Sequence, residues 1–239
     1  MRESGFDPSN RFGPFNVDII HYNPVCLNSL LYLMEADSAE ISRILGRESE
    51  AATWESRARQ RAARINELMW DPQDGLYYDY EFVHKRLRRY PYLTTFYPLW
   101  AGIATREQAA AVVKNLPRFE TEGGLQTSTT RSGNQWDAPF GWAPLHLIAV
   151  RGLRRYGYTT EADRISEKFL SLISDEYRKL GTIVEKYDVV RRATNTFMDV
   201  KFGYHSNETG FGWTNAVFTA LLDDLPPEKR QKLIGSARQ

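Results

Sequence analysis

The feature that most constrains the fold is an apolar row in the segment opened by Thr160. Ile165, Phe169, Leu172 and Ile173 fall at i, i+4, i+7 and i+8. That spacing puts four large side chains on one helical stripe, which needs a partner surface to bury it. Similar patterns recur. Residues 24–45 carry Leu27, Leu30, Leu31 and Met34 on one face, behind a Pro24 suited to a first helical turn. Residues 48–69 place Trp54, Ala58, Arg61, Ile65 and Leu68 on another. Further helices are predicted over 94–104, 106–115, 142–156 and 211–222. Between them lie a turn at Asp71–Gly75, a short strand or hairpin at 76–82, a long loop at 119–137, an extended segment at 182–190 and an irregular stretch at 191–210. Seven or eight helices in antiparallel succession, with almost no sheet, predict an all-α chain of stacked hairpins. An α/α toroid, with long loops and a short β-hairpin at one end, is the expected architecture. No fixed-length repeat supports a solenoid.

Composition removes several classes of function. The chain has 239 residues, enough for the single domain expected here, and a net charge of +1. Such a balance creates no field drawing it to nucleic acid or to a membrane surface. No apolar run reaches the roughly 20 residues of a membrane span. The start, MRESGFDPSN, lacks the apolar core of a signal peptide, and Cys26 is the only cysteine. These features fit a cytosolic chain, or a periplasmic one lacking its leader. Aromatic residues reach 13%. Rings stack on the C–H faces of sugars but also fill large helical cores.

Carboxylates beside Gly, Trp or Tyr cluster in four loops. RESGFDPSNRF (2–12) holds Glu3 and Asp7; QWDAPFGW (135–142) holds Asp137; VEKYD (184–188) holds Glu185 and Asp188; SNETGFGWTN (206–215) holds Glu208. Acids set among rings lose water, which favours the protonated form. A protonated acid facing an ionised one is the requirement of glycosidic hydrolysis. Each acid also has a plain structural role open to it: Asp7 as a turn cap before Pro8, Asp137 as a brace within its loop, Glu185 as a partner of Lys186 or Arg191. His21, His84, His146 and His205 are scattered without metal-ligand spacing. Asp71-x-x-Asp74-Gly75 lacks the later ligands of a calcium loop. Neither a G-x-S-x-G elbow nor a phosphate-cradling glycine loop is present. Two-carboxylate chemistry, with no metal and no cofactor, remains.

The motifs taken together resemble the trehalases of glycoside hydrolase family 37. QWDAPFGWAP (135–144) is similar to that family's signature Gln-Trp-Asp-x-Pro-x-Gly-Trp-Ala-Pro. ESGFDPSNRF (3–12), NPVCLNSLLY (23–32), GGLQTSTTRSGNQWD (123–137), VEKYDV (184–189) and GFGWTNAV (210–217) follow in the family's order. The resemblance implies a six-hairpin α/α barrel and inverting hydrolysis of α,α-trehalose, a small disaccharide. Carried over by motif, Asp7 is the general acid and Glu185 the general base. Gly5, Trp136, Asp137, Glu208 and Trp213 are the substrate-binding residues, Asp137 bonding sugar hydroxyls or bracing its loop. The motifs are those of the C-terminal half of the family's barrel. An incomplete ring is therefore expected, with apolar helix faces open to self-association or to an N-terminal half. Four departures accompany the match. The family's glycine run between EKYD and GFGWTN is absent, with Lys201 or Tyr204 near the place of a substrate-binding Glu. Phe140 stands where Asn is common, Cys26 replaces an Asp, and Phe6 replaces a Trp. A runner-up substrate is another small α-glucoside, such as a glucosylated acid of the glucosylglycerate kind; a non-catalytic sugar-binding half-barrel is the third alternative.

Overall fold

The computed structural model describes residues 2–195, 200–203 and 206–235. Tyr204 and His205 lie outside them. The chain enters through tight turns and a short strand β1 (Tyr22–Asn23), then α1 (Val25–Ile44), with Pro24 extended at the position just before the first turn rather than within it. α1 folds back on α2 (Glu48–Leu68) to make the first hairpin. Four short strands follow: β2 (Trp70–Asp71), β3 (Leu76–Tyr77), β4 (Asp79–Glu81) and β5 (Arg86–Arg88). β2 pairs with β3, while β4 lies between β1 and β5, all antiparallel. The Asp71–Gly75 link is a turn: Asp71 Oδ1 accepts from the Gln73 and Asp74 N–H groups, and Oδ2 from Arg89 at 2.7 Å.

The apolar segment at 94–104 divides into a 3₁₀ turn (Leu93–Phe96) and α3 (Tyr97–Ala101). α4 (Arg106–Lys114) begins with a reciprocal capping box between Thr105 and Gln108. The long loop at 119–137 contains a small hairpin, β6 (Glu120–Thr121) and β7 (Gly124–Leu125). β8 (Phe140–Trp142) leads into α5 (Ala143–Arg155), then α6 (Thr159–Leu180), β9 (Lys186–Asp188), α7 (Gly212–Asp223) and a final α8 (Pro227–Gly235). α5 packs on α3, α6 and α7, α6 also on α7 and α8, and α1 on α3, so helix hairpins stack side by side through contacts between non-consecutive helices as well as consecutive ones. The stripe Ile165, Phe169, Leu172 and Ile173 is fully buried.

One expected face is reversed. Leu27, Leu30 and Met34 are exposed, and with Ile41, Ile44 (75% exposed) and Leu45 they form an open row along α1. The face turned to the protein carries Val25, Cys26, Ser29, Ala39 and Ser42 instead, with Glu35 buried there in an ion pair with Arg61 of α2. Small side chains let α1 lie close on α2, so the larger leucines are left on the outer side.

Candidate active site

β8 and β9 form an antiparallel ladder, pairing Phe140 with Asp188, Gly141 with Tyr187 and Trp142 with Lys186. This ladder ties the 135–144 signature to the VEKYD segment. Two bonds lay the N-terminal segment across the same region, and a third holds the signature loop to Tyr92. The Trp136 N–H donates to the Pro8 carbonyl at 3.1 Å, Gln135 Nε2 donates to the Asp7 carbonyl at 2.6 Å, and the Tyr92 hydroxyl donates to the Trp136 carbonyl at 2.6 Å. The Glu185 N–H donates to the Glu208 carbonyl at 2.9 Å, which brings in the start of α7.

The result is a cleft of about 520 Å3 lined by Gly5, Asp7, Gln135, Trp136, Glu185, Ser206, Glu208, Phe211 and Trp213. Asp7 and Glu185 therefore meet from opposite ends of the chain. Asp7 is partly exposed, with Arg2 Nε 4.0 Å away, and Glu185 is nearly buried. Trp136 stacks on Trp142 with ring centres 3.7 Å apart and planes within 5°. Trp213 meets both edge-on. Gly5 adopts φ +72°, a left-handed conformation that favours glycine, at the turn into Asp7.

Asp137 is placed differently. It is wholly buried and does not line the cleft. Its carboxylate accepts from the Ser9 and Tyr90 hydroxyls at 3.0 Å, the Asn10 N–H at 3.0 Å and the Ser132 hydroxyl at 2.5 Å. Burial pushes its pKa up, against the pull of these donors. Of the two expectations for Asp137, sugar contact and bracing of the loop, this geometry fits bracing and corrects the former.

Three lining residues escaped the sequence reading. Gln135 sits inside the quoted signature, beside Trp136, and Phe211 inside GFGWTN; both could have been found there. Ser206 carries no signal of its own. Lys186 does not line the cleft but contacts Glu185: its Nζ donates to Glu185 Oε2 at 2.9 Å, while Arg191 lies nearer Asp188.

A second cavity, of about 560 Å3, shares Asp7 and Gln135 with the first and is lined also by Arg2, Pro8, Phe15, Lys201, Phe202 and Gly203. A larger groove of about 1000 Å3 along α2 contains neither acid of interest. Its charged lining is self-neutralised by pairs such as Arg61–Glu35 and Arg64–Glu67. Among the described residues no group of three or more His, Cys, Asp or Glu is arranged to hold a metal ion, and no helix is long and apolar enough to cross a membrane.

The trehalase family model matches residues 1–226. The chain belongs to the trehalase family. The cytosolic neutral trehalase of Emericella nidulans is 34% identical over 98% of this chain, and the match takes in 35% of that protein. The cytosolic neutral trehalase of Saccharomyces cerevisiae is likewise 34% identical, over 98% of this chain and 34% of its own length. The chain thus spans about a third of the length of the curated trehalases it matches. The solved neutral trehalase of Saccharomyces cerevisiae superposes with a TM-score of 0.81, covering 98% of this chain and 42% of that one. A mannosylglycerate hydrolase from Thermus thermophilus, 20% identical with a TM-score of 0.63, shares the fold. The trehalase-family chain is accordingly an all-α protein of the α/α toroid class.

Proposed function

We propose that this trehalase-family chain carries the acid–base pair of an inverting glycoside hydrolase that splits α,α-trehalose into two glucoses. The observation that carries this reading is the convergence of Asp7 and Glu185 on one cleft walled by Trp136 and Trp213. Asp7, protonated, gives its proton to the bridging oxygen as that oxygen leaves the anomeric carbon. Glu185, ionised, takes a proton from a water whose oxygen bonds to the same carbon from the opposite face. Inversion needs carboxyls separated by roughly 6.5–9.5 Å to admit that water. The position of Asp7 on the wall shared by two cavities supports its role as the acid, because the bridging oxygen lies between the two sugars of the substrate.

One observation favours a second substrate. Arg2 and Lys201 line the cavity beyond Asp7, where the leaving group would sit. Two cations there suit an α-glucoside whose leaving group carries a carboxylate. Glucose release from trehalose and from 2-O-α-glucosylglycerate separates the two substrates. Release from neither, with sugar binding retained, leaves the non-catalytic half-barrel. For the chemistry itself, Asp7→Asn and Glu185→Gln should each abolish turnover, and proton NMR of fresh product should show one glucose in the β form. Near-normal rates in either variant overturn the assignment.

The exposed row along α1 supports a protein partner for that face, since contiguous apolar surface is a mark of association. For this chain by itself, the partner of that chemistry at hand is a second copy.

A further inference from the structure

We infer that Lys186 is a positioning residue that aims the Glu185 carboxylate. This rests on Glu185 being the base. The side chain of Lys186 is wholly shielded from water. A buried ammonium is costly unless its charge and its donors are met. Here Nζ donates to Glu185 Oε2 at 2.9 Å and to the Ser206 carbonyl at 3.1 Å, and it lies 5.5 Å from the centre of the Trp142 ring.

The backbone makes this contact specific. Neighbouring residues on a strand point to opposite faces, so an ion pair between positions 185 and 186 is not a default of extended chain. The bend at Glu185, just before β9, brings the two together. It is held on both sides: the Glu185 N–H is bound by the Glu208 carbonyl, the Lys186 N–H donates to Asn207 Oδ1 at 3.1 Å, and Asn207 Nδ2 donates to the Lys186 carbonyl at 2.8 Å.

The division of the carboxylate follows. Oε2 is held by the ammonium. Among the described residues Oε1 has no hydrogen-bond partner, although Glu185 lines the cleft. One oxygen is fixed and the other is available to a water. The same ammonium rests on the face of Trp142, which stacks at 3.7 Å on the cleft-lining Trp136. Lys186 thereby ties the orientation of the base to the aromatic wall that would meet the sugar, without touching the substrate itself.

The test compares wild type, Glu185→Gln, Lys186→Met and Lys186→Arg on the α-glucoside that the wild type hydrolyses. Lys186→Met keeps the aliphatic stem and removes the charge. Its kcat should fall about 10- to 100-fold with KM changed less than about threefold, since misaiming a catalytic group carries that scale of cost. The acidic limb of its kcat/KM profile should move to higher pH, because the nearby positive charge no longer favours the carboxylate. Lys186→Arg should keep that limb near its wild-type position. If Lys186→Met leaves kcat within about threefold, or lowers it without moving the acidic limb, Lys186 is structural only. A Glu185→Gln protein with normal turnover removes the base assignment itself, and the positioning role with it. If the Met variant does not fold, the wild type answers: the Lys186 ¹⁵Nζ resonance, assigned by its NOEs to the Trp142 ring, should titrate with the midpoint of the acidic limb. A resonance indifferent to that midpoint overturns the role.

Discussion

Arg11 holds Asp79 in a two-pronged ion pair, Nε to Oδ2 at 2.6 Å and a terminal nitrogen to Oδ1 at 2.5 Å, with both side chains buried. The Val25 N–H donates to the same Oδ1 at 2.9 Å, so one carboxylate joins the N-terminal segment to the start of α1. The guanidinium also packs over the rings of Phe6, Phe12 and Tyr92 and contacts Cys26 Sγ at 3.5 Å. Asp79→Asn strips a buried cation of its counter-charge and should lower stability by about 3–5 kcal/mol. The double variant Arg11→Met with Asp79→Leu should lose less than either single change, because no charge is then left alone. Urea denaturation of the wild type, Asp79→Asn, Arg11→Met, Asp79→Leu and the double variant measures this. Additive losses would show that the two residues act separately.

Asp137 makes a prediction of a different kind, because its four donors come from three separate stretches of chain. Asp137→Asn removes the charge and turns an amide N–H₂ either toward the Asn10 N–H, which can only donate, or toward the Ser9 and Tyr90 hydroxyls, which must then reverse their bonds. It should cost about 1–3 kcal/mol in unfolding free energy. Ser132→Ala removes one donor and should cost about 1 kcal/mol. Thermal melting in the absence of sugar reads both. An unchanged melting temperature in Asp137→Asn, together with weaker sugar binding, would return Asp137 to the substrate.

The stripe of α6 was legible in the sequence because a long amphipathic helix announces its buried face by period alone. α1 was legible as a helix but not in its orientation: both of its faces accept burial, and the choice went to the side whose Ser29 and Ala39 permit close packing on α2. β8 and β9 are three residues each, too short for an alternation to show, and their pairing joins segments far apart in the chain. α8 follows two prolines with a mostly polar run and gives little periodic signal. At the cleft, Asp7, Trp136, Glu185 and Trp213 stood out through motif resemblance. The Lys186–Glu185 pairing was open in the sequence beside the Arg191 alternative, and the bend at Glu185 selects it.

The row Leu27, Leu30, Met34, Ile41, Ile44 and Leu45 predicts self-association of this chain. Sedimentation velocity across a concentration series should show a concentration-dependent dimer or larger species. Leu30→Lys with Ile44→Lys should shift the protein to monomer while leaving its helical circular dichroism intact, since both side chains already face solvent. A wild type that stays monomeric at the highest concentration would show that this face needs no second copy.

His146 predicts a pH dependence of stability. It is wholly buried, stacked on Phe169 at 3.7 Å, and burial pushes its pKa down to about 4. Its Nε2 accepts from the Leu125 N–H at 2.8 Å and its Nδ1 faces the Trp142 carbonyl at 2.9 Å, a network that assigns the neutral ring with its proton on Nδ1. Gly124 makes the approach possible, since a Cβ there would lie 2.5 Å from Nε2. The unfolded ring titrates near 6.5, above the folded one, so the unfolded state binds more protons between roughly pH 6.5 and 4. The contribution is full above that window and is lost as pH falls through it, reaching about 2 kcal/mol by pH 5. His146→Gln removes the titrating group. The difference in unfolding free energy between pH 7 and pH 5 should therefore be about 2 kcal/mol smaller in His146→Gln than in the wild type. Equal differences in the two proteins would mean that His146 is not held neutral by burial.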